Sequence, residues 1–221
     1  LITDNQSGQL HMSSVAAGIL LKTANIDPIV QLSCRNRNRI SLLSDLLGCA
    51  ALGISNLMLT KGDRVPLEFK PRPKAIMDVN ATELIALANN IKQDEVLPSL
   101  NQFLLGGVVT PIIPKKGWPA KNLTKKVDAG AQFMITHTCL DMNIIKTYMK
   151  RLVETKLLRR MHLIAGIAIL KSPEDAKWLR ENRPNVNIPV DAVERLEKAS
   201  DPSQEGIKMC AEFLEELAEI P

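Results

Sequence analysis

Several apolar runs in this chain end in short polar clusters: Thr3-Asp4-Asn5-Gln6, Ser33-Cys34-Arg35, Thr60-Lys61-Gly62-Asp63, Thr110-Pro111, and Thr136-His137-Thr138 with Asp141. Gathered at one mouth, they would combine carboxylates, cations, hydroxyls and an imidazole. Such a set suits a polyanionic or heteroaromatic ligand. Each member also has a plainer reading. Asp63 follows Gly62 and could cap a turn, a common use of Gly-Asp. His137 is flanked by strand-type residues and could be a hydrogen-bonded core histidine. Lys125 and Lys126 precede a helix end at Val127-Asp128-Ala129-Gly130, where a cation favours the helix dipole. Arg35, Arg37 and Arg39 alternate with asparagines, but no aromatic residues interleave with them, so a loop that launches a helix explains them better than a nucleic-acid contact does. No His, Cys or carboxylate pair has metal-site spacing, and the eight methionines read as core filler.

The elements that must position these clusters follow from periodicity. Strand-length apolar runs occupy Ile29–Cys34, Ile54–Thr60, Phe103–Thr110, Gln132–Thr138 and Leu163–Leu170, and Leu1–Thr3 reads as the end of an earlier strand. Helix-length amphipathic segments lie between them at His11–Ala24, Ser41–Leu52, Ala81–Val96, Leu123–Ala129, Met142–Thr155 and Pro173–Glu181, followed by Val190–Ala199 and Ser203–Ala218. This alternation is the pattern of parallel βα units. Ser172-Pro173-Glu174-Asp175 and Asp201-Pro202-Ser203 carry capping and first-turn signals, and Gly53 and Gly130 stand where a helix must release the chain.

The Leu163–Leu170 run is apolar on both faces and predicts a strand covered on both sides, in the middle of a parallel sheet or barrel. The choice is between an open doubly wound sheet and a (β/α)8 barrel, and in both the ligand site gathers at the C-terminal strand ends. Neither G-x-G-x-x-G nor G-x-x-x-x-G-K-[ST] follows any strand, which favours the barrel. The expected architecture is a single α/β barrel domain over residues 1–221. It is incomplete at both ends, with its first and last strands outside the segment.

Composition narrows the function classes. The chain has 221 residues, 45% hydrophobic and 24% charged, which excludes a disordered or fibrous protein. Its formal net charge of +4 is scattered rather than gathered in a tail, so no nucleic-acid partner is implied. No apolar run approaches the roughly 20 residues of a membrane span. Cys34, Cys49, Cys139 and Cys210 lie far apart and read as free thiols of a reducing compartment, and the expected location is cytoplasmic.

Longer stretches carry a family likeness. Val30-Gln31-Leu32-Ser33-Cys34-Arg35-Asn36-Arg37-Asn38-Arg39, followed by Ser44-Asp45-Leu46-Leu47-Gly48 and Ala51-Leu52-Gly53-Ile54, resembles the methylenetetrahydrofolate reductase family. Leu59-Thr60-Lys61-Gly62-Asp63, Leu105-Gly106-Gly107-Val108-Val109-Thr110-Pro111, Lys125-Lys126-Val127-Asp128-Ala129-Gly130-Ala131-Gln132-Phe133 and Leu163-Ile164-Ala165-Gly166-Ile167 continue the resemblance in the expected order.

The resemblance implies a (β/α)8 barrel holding FAD at its C-terminal face. The reduced flavin passes a hydride to 5,10-methylenetetrahydrofolate to give 5-methyltetrahydrofolate, and NAD(P)H serves as electron donor. It implies that Asp63 is catalytic, lying near flavin and folate and favouring the iminium form of the substrate. Ser33, Lys61, Gly62, Asp63, Thr110 and Lys126 fall on cofactor-contacting positions. His137 falls on the pterin-contacting position, sharing the mouth and folate binding with Asp63. Three positions depart from the family pattern: His137 stands where Gln is common, Lys61 where some members have Arg, and Met77 where an aromatic residue precedes the aspartate. The segment Arg64–Pro73, with Pro66, Pro71 and Pro73, is shorter than the family's flavin-covering loop. The family's general acid is a Glu on a strand before Leu1. The alternatives on the same barrel are a flavin-free tetrahydrofolate-dependent methyltransferase or demethylase, and a non-catalytic folate-binding subunit. The expected partners are a tetrahydrofolate derivative and either a second copy or a partner subunit.

Overall fold

The computed structural model describes residues 1–4, 11–65, 69–74, 76–92 and 102–220. Asn5, Gln6, Pro66 and the last four residues expected in the helix over 81–96 lie outside the described residues. Among these described residues, five strands form a parallel α/β sheet in the order β1-β2-β3-β4-β5: β1 (Ile29–Ser33), β2 (Asn56–Thr60), β3 (Leu104–Val109), β4 (Phe133–Thr136) and β5 (His162–Ile164). Among the described residues eight helices accompany them: α1 (Ser14–Thr23), α2 (Arg39–Ala51), α3 (Ala81–Lys92), α4 (Lys121–Asp128), α5 (Met142–Glu154), α6 (Pro173–Asn182), α7 (Val190–Lys198) and α8 (Pro202–Ala218). A short 3-10 turn at Leu157–Arg159, which no pattern in the sequence signals, precedes β5.

The chain divides into two compact units, residues 1–108 with 121–134, and residues 109–120 with 135–221. In the first, β1 and β2 run parallel in the register Ile29↔Asn56 to Ser33↔Thr60, and β2 continues onto β3 from Asn56↔Leu104 to Met58↔Gly106. Ile2 bridges Val30 in parallel, so the opening residues do pair as a strand end. Val30, Leu32, Leu57, Leu59 and Leu105 are fully buried, as strands covered on both faces must be. Leu42, Leu46 and Cys49 recur along the inward stripe of α2, and Leu84, Ile85 and Ala88 along that of α3. Each such leucine contributes roughly 2 kcal/mol of burial.

The helix ends obey local rules. Asn38 caps α2 by accepting from the Ser41 N–H at 2.9 Å. Ser172 accepts from the Asp175 N–H at 3.1 Å to start α6. Asp201 accepts from the N–H groups of Ser203 and Gln204 to start α8. Gly53 and Gly130 take φ values of +68° and +114° where the chain leaves a helix for a strand.

In the second unit, Leu170, Ala176, Ile188, Ala192, Val193 and Leu196 form one core cluster, and Cys139, Ile145 and Phe213 form another. One expectation fails here. The run from Leu163 to Leu170 is not a fully covered strand: β5 spans only His162–Ile164, and Ile164 and Ile169 are 41% and 52% exposed. β5 is the last strand in the sheet order and has no neighbour beyond it among the described residues. An apolar run records a preference for cover but cannot supply the covering strand.

Candidate functional site

The first unit builds a polar cluster at the C-terminal ends of β1 and β2. The ladder continues past both strands, with the Cys34 N–H donating to the Thr60 carbonyl at 3.0 Å and the Arg35 N–H to the Lys61 carbonyl at 3.1 Å. This brings Ser33 and Arg35 beside Lys61-Gly62-Asp63. Gly62 has φ +82°, and a Cβ there would lie 2.9 Å from the Ser33 Cβ and 3.0 Å from its Oγ. Only glycine both adopts this φ without strain and leaves the serine hydroxyl uncovered. The Arg35 Nε donates to the Gly62 carbonyl at 3.3 Å and holds the turn.

Behind this turn lies a buried carboxylate. Asp4 is 3% exposed. Its Oδ2 accepts from the Ser33 N–H at 3.0 Å, from the Ser33 hydroxyl at 2.8 Å and from Arg37 Nη1. Its Oδ1 accepts from Arg37 Nη2 at 3.3 Å. Burial opposes the charge on Arg37, but its hydrogen bonds to Asp4 together with the negative charges of Asp4 and Asp45 outweigh it and hold the guanidinium pKa above its ordinary value. Arg37 Nε also lies 3.2 Å from Asp45 Oδ2, without the alignment of a hydrogen bond. Burial pushes the Asp45 carboxyl up against the pull of Arg37. Ser33, Arg35, Asn36, Arg37 and Asp63 together line a cavity of about 120 Å³. That is well below the roughly 300–1,000 Å³ of a site enclosing a whole cofactor, and it suits one polar edge of a ring system.

Lys126, in the last turn of α4, donates from Nζ to the Val108 carbonyl at 2.6 Å, and burial lowers its pKa. Its ammonium therefore reaches the end of β3 and does more than offset the α4 dipole. Cys34 follows Ser33, but burial pushes its thiol up to about 11; it stays protonated and is no nucleophile.

The second unit gathers its own strand ends. The His137 N–H donates to the Val109 carbonyl at 2.8 Å, which sets His137 next to the segment carrying Thr110. Asn187 ties this region together: its N–H donates to the Thr138 carbonyl at 2.9 Å, its carbonyl accepts from the Leu140 N–H at 2.8 Å, and its Nδ2 donates to the Pro111 carbonyl at 3.1 Å. His137 and Thr110 are both half-buried. Asp141, counted above among the strand-end acids, caps α5 by accepting from the Ile144 N–H at 3.0 Å.

The first unit thus holds Ser33, Lys61, Gly62, Asp63 and Lys126, and the second holds Thr110 and His137. The strand ends carrying Asp4 and Ser33 were expected at one mouth and do meet, but that Arg37 joins them in an Asp4–Ser33–Arg37 cluster was not legible in the sequence. Its members are 29 and 33 residues apart, and the available signal was the period-two alternation of Arg35, Arg37 and Arg39. Each of these arginines takes a separate protein partner: Arg35 the Gly62 carbonyl, Arg37 Asp4, and Arg39 Asp78 at 3.5 Å. Among the described residues no three His, Cys, Asp or Glu side chains gather to hold a metal ion, and no helix is long and apolar enough to cross a membrane.

No curated protein matches the chain significantly. Among solved structures it is similar to an uncharacterized protein from Clostridium thermocellum, described as binding two copies of 5-methyl-5,6,7,8-tetrahydrofolic acid, with a TM-score of 0.58 and 13% identity. The match covers 90% of this chain and 63% of that one, and at this identity it speaks to the fold. The family model for methylenetetrahydrofolate reductase matches residues 1–220. With that match spanning the chain, and with polar groups placed at the ends of parallel strands, this chain belongs to the methylenetetrahydrofolate reductase family.

Proposed function

We propose that this chain forms most of a (β/α)8 barrel that reduces 5,10-methylenetetrahydrofolate to 5-methyltetrahydrofolate with FAD. The observation that carries the reading is the placement of Asp63 with Ser33 and Arg35 around one strand-end cavity, in a chain of this family. The donor set fits the cofactor: Ser33 and Asp63 offer polar contacts to a ring edge, and Arg35, Lys61 and Lys126 offer cations to a diphosphate. FAD, when bound, supplies the hydride. Asp63 places a carboxylate where a cationic iminium form of the substrate is favoured. Gly62 keeps the turn thin enough for a flat ring to approach Ser33. Thr110 and His137 serve as cofactor and pterin contacts respectively, and NAD(P)H is the electron donor.

The test is a titration of purified protein with FAD, read by flavin absorbance and fluorescence, followed by an assay of 5-methyltetrahydrofolate oxidation with an artificial electron acceptor. Saturable flavin binding with turnover supports the reading. A second reading, flavin-free methyl transfer from 5-methyltetrahydrofolate, is favoured by the folate named for the Clostridium thermocellum protein. Tight binding of 5-methyltetrahydrofolate with no flavin binding would select it.

A further inference from the structure

We infer that Asp4 is a positioning residue that turns the Ser33 hydroxyl into a hydrogen-bond acceptor toward the cavity, so the ligand atom seated there carries an N–H. The inference rests on the ligand reading above and adds to it the polarity of one contact. A serine hydroxyl has one proton and two lone pairs, and in the open it serves either role. Here both roles are assigned by its neighbours. Asp4 accepts from Ser33 N, Ser33 Oγ and both terminal nitrogens of Arg37. A carboxylate only accepts, and at 2.8 Å Asp4 Oδ2 accepts the one hydrogen bond the Ser33 hydroxyl can donate. Arg37 Nη1 lies 3.4 Å from the same oxygen and can only donate to it. Neither neighbour can reverse its direction.

What remains on Ser33 Oγ is a lone pair. Ser33 belongs to the cavity lining, and a Cβ on Gly62 would come within 3.0 Å of its Oγ, so the glycine keeps the approach to that oxygen clear. A ligand carbonyl placed against it would meet lone pair with lone pair, whereas a ring N–H would be satisfied. The chemistry selected is a heteroaromatic lactam or imide edge, present in a flavin and in a reduced pterin alike.

The test compares FAD and 5-methyltetrahydrofolate with their analogues methylated at the ring N–H next to the carbonyl, using wild-type protein, Ser33→Ala, Ser33→Thr and Asp4→Asn. The readout is the ratio of dissociation constants, methylated over parent, which cancels any loss that weakens both ligands alike. In wild type and Ser33→Thr the ratio for one of the two ligands should be about tenfold or more, and that ligand is the one whose edge meets Ser33. In Ser33→Ala it should fall to about twofold or less. Asp4→Asn should lower it too, because the amide can donate to Ser33 and free its proton; if Asp4→Asn does not fold, the two Ser33 variants decide. Binding with the same ratio in wild type and Ser33→Ala overturns this inference alone. Failure of both parent ligands to bind wild-type protein overturns the ligand reading, and this inference with it.

Discussion

Two arginines in this molecule each hold two carboxylates, and they do so in opposite surroundings. Arg37 meets Asp4 and Asp45 with side-chain exposures of 20%, 1% and 32%. Arg195 meets Glu205 and Glu212 with exposures of 38%, 23% and 44%, clamping α7 to α8. The chemistry is the same and the consequences differ. The buried Asp4 carboxylate has lost its water, so every donor around it is needed, and removing one leaves a charge uncompensated. The exposed clamp exchanges protein partners for water at little cost. Burial therefore makes the first cluster a rigid support for Ser33, while the second is a replaceable fastening.

Four substitutions break or sharpen this contrast. Asp4→Ala strands Arg37 and should cost about 3 kcal/mol or more, read by chemical denaturation; a loss below about 1 kcal/mol would place the cluster with ordinary surface pairs. Gly62→Ala combines a left-handed φ with a collision at Ser33, and should cost about 2 kcal/mol while weakening ligand binding.

Arg195→Ala should shift the denaturation midpoint less than either of these. Its effect should also depend on pH with a definite sign. The hydrogen bond from Arg195 holds the Glu212 pKa below its ordinary value. Its stabilisation is therefore fully present above the unfolded carboxylate pKa of about 4.3 and is lost as pH falls through the lower folded value. The variant should lose less stability than wild type between neutral and acid pH, and parallel profiles would show that the clamp does not hold in solution.

Asp63→Asn should change stability least, by about 0.5 kcal/mol or less, because Asp63 is exposed. It should nonetheless reduce folate turnover. Unchanged kinetics would leave Asp63 as a turn residue.

What could be read from the sequence follows the range of the interactions. The caps at Ser172 and Asp201 and the positive-φ glycines at 53 and 130 depend on residues within a few positions, and each stands where local chemistry puts it. The alternation of strands and helices was legible because side-chain period is a local property. The Asp4–Arg37 pair was not, since nothing in a single sequence says which of many acids an arginine meets 33 residues away. Lys126 misled for a related reason: its place in the last turn of α4 satisfied the dipole argument, and only the path of β3 shows its ammonium reaching the Val108 carbonyl. The failed expectation for Leu163–Leu170 has the same origin, because cover depends on which neighbours the sheet provides.

The bond from Asn187 to Pro111 closes a span of 76 residues, against 27 for the contact between Arg35 and Gly62. Chain-closure entropy grows only with the logarithm of span, so this latch costs on the order of 1 kcal/mol more to form than the shorter loop. The difference matters more for order than for final stability. Contacts of short span can form first, and the Asn187 latch is expected to close late, after α5 and α6 have shortened the path between its ends. The segment carrying Thr110 would then be the last of the strand-end groups to reach its native place during folding.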